Sequence, residues 1–172
     1  MIEAFPTTTR VLFVCVGNIC RSPTAEGVFT QLVQGRGLAA SIEVDSSGTS
    51  NWHIGSAPDS RTTAAAAERG YDLRHLRGRQ VQIADFDEYH YILAMDESNL
   101  ADLQALRPNH YAGHLGLFLD FAPEVDLVGV PDPYYGGNEG FALVLDLIES
   151  ASAGLLQQIA GEQDKGDDHS NG

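Results

Sequence analysis

The stretch Val11–Phe29, VLFVCVGNICRSPTAEGVF, constrains this chain more than any other. Val11–Val14 are continuously apolar and read as a buried strand, which ends on Cys15. Ser22 and Pro23 then read as a helix N-cap followed by proline at the first helical position, where a missing N–H costs nothing. Glu26 is expected in the first turn, the end of the helix dipole that favours an acid. Cys15 to Arg21 is therefore a loop between a strand end and a helix N-terminus. Unpaired N–H groups and the dipole gather anions at such a place.

Strand and helix signals alternate along the rest of the chain. After the first helix, Pro23 to about Gln34, a second strand lies in Ser41–Gly48 and a second helix in Pro58–Arg69. A third strand, Tyr89–Met95, leads into an amphipathic helix, Asp96–Leu106, and a short fourth strand, Leu115–Leu119. Glu139–Ala160 carries apolar residues at helical spacing, and the polar residues 161–172 read as a flexible tail after an ordered core of about 10–160. This order predicts a single α/β domain over residues 1–172, a parallel sheet covered by helices on both faces. Ligands in such folds bind outside the carboxyl ends of the strands, where the Cys15–Arg21 loop lies.

Composition narrows the partners. The net charge is −14 and the single lysine is Lys165, which argues against binding to nucleic acid or an anionic membrane. No apolar run approaches the roughly 18 residues of a membrane span, and MIEAFPTTTR lacks the features of a signal peptide. Both cysteines, Cys15 and Cys20, sit in the one loop, unlike the spread of a secreted disulfide scaffold. A reduced, cytoplasmic enzyme is expected.

The loop assembles one kind of chemistry. A cysteine at a helix N-terminus beside an arginine has its thiolate, the nucleophilic form, stabilised. Arg21 offers forked donors for two oxygens of one phosphate, and Gly17 lets successive N–H groups turn inward as a nest. Together they suit attack of a thiolate on a phosphate monoester, the charge being stabilised by the protein alone. Neither metal nor cofactor is called for, and the six histidines are scattered. Taken singly, Cys15 also fits a small buried hydrophobe. The string is not a Walker loop, which would read G-x-x-x-x-G-K-[ST], and no further soft ligands support a metal.

The string CVGNICRSP resembles the signature of the low-molecular-weight protein tyrosine phosphatases, in a bacterial form. VDSSGTSNWHIG, YILAMDESNL and PDPYYGG follow in the family's order, so the likeness spans about residues 10–160. The resemblance implies a four-stranded parallel sheet flanked by helices and hydrolysis through a phosphocysteine. It makes Cys15 the nucleophile and Arg21 the phosphoryl-binding residue, with the backbone of Val16, Gly17, Asn18, Ile19, Cys20 and Arg21 as the cradle. Ser22 donates its hydroxyl to the thiolate, while Asn18 holds the loop, braced by Ser46 and His75. On its own, Ser22 reads as a cap and His75 as a surface histidine.

Asp132, stiffened between Pro131 and Pro133, matches the general acid; the rival carboxylates are Asp96 and Asp126, of which Asp96, on the ligand side of the sheet, is the better. Trp52, Tyr134 and Tyr135 match the aromatic walls of a phosphotyrosine pocket. The related protein-arginine phosphatases carry threonine where this chain has Ile19. Arsenate reductases of this fold use cysteines beyond the loop, and none follows Cys20. A non-catalytic phosphopeptide module would lack one of Cys15, Arg21 or Asp132. Cys20 is either packing or a partner that traps oxidised Cys15 as a disulfide. The implied partner is a tyrosine-phosphorylated protein, and beyond it a cognate tyrosine kinase.

Overall fold

The computed structural model describes residues 8–133 and 138–170. Its elements are β1 (Thr9–Cys15), α1 (Arg21–Gly35), β2 (Ile42–Gly48), α2 (Ser60–Glu68), α3 (Asp85–Glu88), β3 (Tyr91–Ala94), α4 (Glu97–Leu106), β4 (His114–Leu117), a 3₁₀ turn (Phe118–Phe121) and α5 (Asn138–Ser170). The four strands are all parallel, in the order β2-β1-β3-β4.

β1 is central because every one of its apolar residues can be buried. Val11, Phe13 and Cys15 point to the face covered by α1 and α5, while Leu12 and Val14 point to the other. On the first face the Phe13 ring meets Phe29 of α1 edge-on at 5.8 Å and Phe118 at 4.8 Å, with Ile148 and Leu155 of α5 completing the layer. Each such side chain contributes roughly 1.5–3 kcal/mol through burial. On the second face Leu12, Val14, Ile92 and Ala94 pack with Leu103 of α4, Phe86 of α3 and Tyr111.

The strand order reverses at β1, whose neighbours β2 and β3 lead off in opposite directions. That is the switch point where α/β folds bind ligands. The register brings Cys15 opposite Gly48 at the end of β2, and Val14 opposite Ala94 at the end of β3. Asp96 follows two residues later and caps α4, its Oδ1 accepting from the Asn99 N–H at 2.8 Å.

Three local expectations are corrected. α1 starts at Arg21, with Cys20 at the cap position and no side-chain capping bond there. Ser22 therefore lies inside the first turn and its hydroxyl is turned back toward Cys15. Glu26 falls in the second turn, away from the helix end, and bonds Ser46 instead. At the other terminus α5 continues past Ala160 to Ser170, into the segment expected to be a tail. Polar anchors take over where the apolar period stops: Gln163 Nε2 donates to Thr9 Oγ1 at 3.3 Å and to the Ser41 carbonyl at 3.2 Å, and Glu162 accepts from the Tyr91 hydroxyl.

Candidate active site

The cradle is built by tying down one side of the loop. The Cys15 carbonyl accepts from the Thr49 N–H at 2.8 Å, Val16 from Ser50 at 3.0 Å, Ile19 from Asp59 at 2.8 Å and Cys20 from Thr24 at 3.2 Å. In a trans peptide the N–H points opposite to the C=O. With those carbonyls bonded outward, the N–H groups of Val16, Gly17, Cys20 and Arg21 are directed to the inside of the curl, the arrangement of an anion nest. Gly48 permits the close approach of β2, since a Cβ there would stand 2.5 Å from the Val16 carbonyl oxygen and 3.2 Å from the Asn18 nitrogen.

Cys15 Sγ lies at the bottom, the residue 3% exposed. The Asn18 N–H donates to it at 3.3 Å and the Ser22 hydroxyl oxygen is 3.0 Å away. Asn18 itself has φ 57°, the one non-glycine residue with positive φ among those described. That conformation is held by its side chain: Nδ2 donates to Ser22 Oγ at 2.8 Å and Ser46 Oγ at 3.0 Å, and Oδ1 accepts from the Arg79 N–H at 2.9 Å. Ser46 thus sits where it was expected. His75 does not: it is solvent-exposed, outside this network. The segment delivers the backbone of Arg79 instead, and the Arg79 guanidinium is clamped by Asp45 at 3.0 Å and Asp85 at 3.1 Å. This anchoring fixes Arg79 against the cradle and leaves His75 on the outer side of the loop.

Arg21 is 3% exposed, and its fork is aimed from behind. Nη1 donates to Asp96 Oδ2 at 2.7 Å and to the Val130 carbonyl at 3.0 Å. Nη2 lies 3.9 Å from Asp132 Oδ2. The two carboxylates, rivals in the sequence, are thereby separated in kind. Asp96 is spent on Arg21 and the α4 cap. Asp132 is the more open, its side chain 43% exposed at the rim against 32% for Asp96.

A cleft of about 190 Å³ is lined by Cys15, Val16, Gly17, Ile19, Cys20, Arg21, Trp52, His53 and Asp132. Trp52 stands at its mouth, 73% exposed. Tyr134 and Tyr135 lie outside the described residues. Burial is the main cause that pushes the Cys20 thiol up to about 11. Both cysteines are free thiols.

Four participants were not legible in advance: Gly48, His53, Arg79, and Asp96 as the holder of Arg21. Only Asp96 left a usable signal, its place at the end of an apolar strand on the ligand side of the sheet.

Similarity to known proteins is extensive. The sequence model for the low molecular weight phosphotyrosine protein phosphatases matches residues 10–165. A low molecular weight protein-tyrosine-phosphatase of Streptomyces coelicolor is 45% identical over 156 residues, covering 88% of this chain and 94% of its own length. The crystal structure of a protein tyrosine phosphatase from Entamoeba histolytica, with Hepes in the active site, superposes with a TM-score of 0.87 at 37% identity, covering 91% of this chain and 99% of the other. The crystal structure of YfkJ from Bacillus subtilis gives 0.85 at 40% identity, covering 91% and 97%.

Proposed function

The chain belongs to the low molecular weight phosphotyrosine protein phosphatases, and from that premise we propose how its own residues remove phosphate from tyrosine. It is a protein-tyrosine-phosphatase, a phosphoric monoester hydrolase. The Cys15 thiolate attacks phosphorus in line with the ester bond. Arg21 and the inward N–H groups hold the phosphoryl oxygens and take up the charge of the transition state. Asp132 gives its proton to the departing tyrosine oxygen, leaving a phosphocysteine and an aspartate. That aspartate then takes a proton from water as the water attacks phosphorus, which releases phosphate and the thiolate.

Ser22 donates to the thiolate, and Asn18 with Ser46 keeps the loop in shape. Trp52 flanks the substrate ring, and Tyr134 and Tyr135 match the family's pocket walls by sequence. Cys20 traps oxidised Cys15 as a disulfide. The substrate is a tyrosine-phosphorylated protein, and the partner this implies is the tyrosine kinase that made it. A cytoplasmic setting suits the reaction because reducing conditions keep both thiols free.

The observation that carries this reading is the outward bonding of the loop carbonyls around Cys15 Sγ, with Arg21 aimed by Asp96. The test uses one peptide bearing phosphotyrosine, phosphoserine or phosphoarginine in metal-free buffer. Phosphotyrosine is hydrolysed fastest, and Cys15→Ser abolishes turnover while phosphate still binds. Faster turnover of phosphoarginine, or Cys15→Ser activity within about tenfold of the parent, overturns it.

A further inference from the structure

Glu26 is a half-buried carboxyl beside the cradle that the mechanism leaves unused. It stands on α1, and its Oε1 accepts the Ser46 hydroxyl at 2.7 Å. We propose that Glu26 is a positioning residue for the nucleophile, fixing through Ser46 the direction in which the Asn18–Ser22–Cys15 hydrogen bonds run. This rests on Cys15 as the nucleophile.

Hydrogen counting gives the direction. The Ser46 hydroxyl has one proton, and Glu26 takes it. The Ser46 oxygen is then free to accept from Asn18 Nδ2. The second Nδ2 proton goes to Ser22 Oγ, and Oδ1 faces the Arg79 N–H. The Ser22 oxygen, already accepting, has its own proton left to give, with Cys15 Sγ at 3.0 Å and the Ser47 carbonyl at 3.2 Å. A carboxyl at the far end thus keeps Ser46 an acceptor for Asn18 and leaves the Ser22 proton unspent, for the Cys15 thiolate or the Ser47 carbonyl to draw. Without an acceptor at position 26, the Ser46 proton turns toward the Asn18 amide. A flipped amide then sets its NH₂ against the Arg79 N–H, and the brace on the left-handed Asn18 is lost.

Among the described residues, the surroundings give this carboxyl no cation of its own. Asp45 on β2 and Arg79 both act on it, and Arg79 is itself shared between Asp45 and Asp85, with the Tyr89 hydroxyl also on Asp45. Burial pushes Glu26 up to about 7, so at neutral pH it is partly protonated. In either state one oxygen can accept from Ser46, so a neutral amide should serve in its place.

The test measures iodoacetate alkylation of Cys15 at one pH, with kcat and KM on an aryl phosphate. Glu26→Met, close in volume and with no oxygen to accept, lowers the alkylation rate and kcat by about five- to tenfold with little change in KM, the factor expected for one hydrogen bond. Glu26→Gln restores both. Ser46→Ala, which removes a single hydroxyl, shows the same loss, and Glu26→Met in that background adds nothing. Parent-like alkylation in Glu26→Met or in Ser46→Ala, a Gln variant as impaired as Met, or additive losses overturns the proposal while Cys15 stands. Turnover surviving in Cys15→Ser removes the nucleophile and this inference with it.

Discussion

Arg21 and Asp96 are locked together, Nη1 to Oδ2 at 2.7 Å, while the other oxygen of the same carboxylate caps α4 at Asn99. One residue therefore joins the phosphate-binding arginine to the end of β3 and the start of a helix. The arginine reaches the cradle already oriented, so its rotamer freedom is spent in folding and not on the substrate. It also explains why two aspartates beside the same guanidinium do not share a role.

Asp132→Ala should lower kcat by about 10²–10⁴-fold on phosphotyrosine, the range for a lost general acid. The loss should shrink on an aryl phosphate whose phenolate leaves unaided. Asp96→Ala should cost both substrates the same factor, because it loosens Arg21, and should lower stability by about 1 kcal/mol through the lost cap. Measuring kcat against leaving-group acidity separates them; an Asp96 variant with the steeper dependence would exchange the two assignments.

Gly48→Ala tests the cradle from behind. The new methyl would stand 2.5 Å from the Val16 carbonyl oxygen and 3.2 Å from the backbone of Gly17 and Asn18, so the loop must move. A displacement of that size should cost roughly 10²-fold in kcat/KM and weaken phosphate inhibition in step. Gly35→Ala at the end of α1, where a Cβ meets nothing within 4 Å, serves as the control and should leave both unchanged. Equal behaviour of the two variants would mean that the cradle does not lean on β2.

Glu26 also carries a pH signature in stability. Burial, and then Asp45, push its pKa up from 4.5 to about 7, against the Ser46 bond and Arg79. The folded state holds a proton that the unfolded chain gives up earlier. This contribution is complete below 4.5 and is lost as pH rises through about 7. Glu26→Gln does not titrate, so relative to the parent its urea midpoint should climb between about pH 4.5 and 7 and then level off. A constant difference between parent and variant across that window would place Glu26 in the ordinary carboxylate range.

The strand, the loop and the helix were legible because each rests on a local pattern. An unbroken apolar run, a cysteine and arginine at fixed spacing, and a proline just inside a helix all survive in one dimension. The brace of Asn18 was less so. Arg79 serves by its backbone N–H, which carries no side-chain signature, and it displaced His75 because its guanidinium finds Asp45 and Asp85. Ser22 reads as a cap until the cradle pulls α1 back to Arg21. The four-residue α3 is too short to show a period, and α5 runs on beyond its apolar stripe because Gln163 is anchored on Thr9 and Ser41.

The second cysteine gives the last prediction. Cys20 is 5% exposed and Cys15 3%, and both line the same cleft. Peroxide takes the Cys15 thiolate to a sulfenic acid, and attack by the Cys20 sulfur then expels the oxygen as water and forms the disulfide. Cys20 must give up its proton in that step, and burial pushes its thiol up to about 11, so ring closure should be slow and faster at alkaline pH. Peroxide should therefore inactivate the enzyme, a dithiol should restore it, and bound phosphate should slow the loss by filling the cradle. A linked Cys15–Cys20 peptide should appear by mass spectrometry, later at pH 6 than at pH 8.5. Cys20→Ser should turn over normally but go on to the irreversible sulfinic acid, losing recovery. Full recovery of that variant, with no linked peptide in the parent, would leave Cys20 as a packing residue against Thr62 and the start of α2.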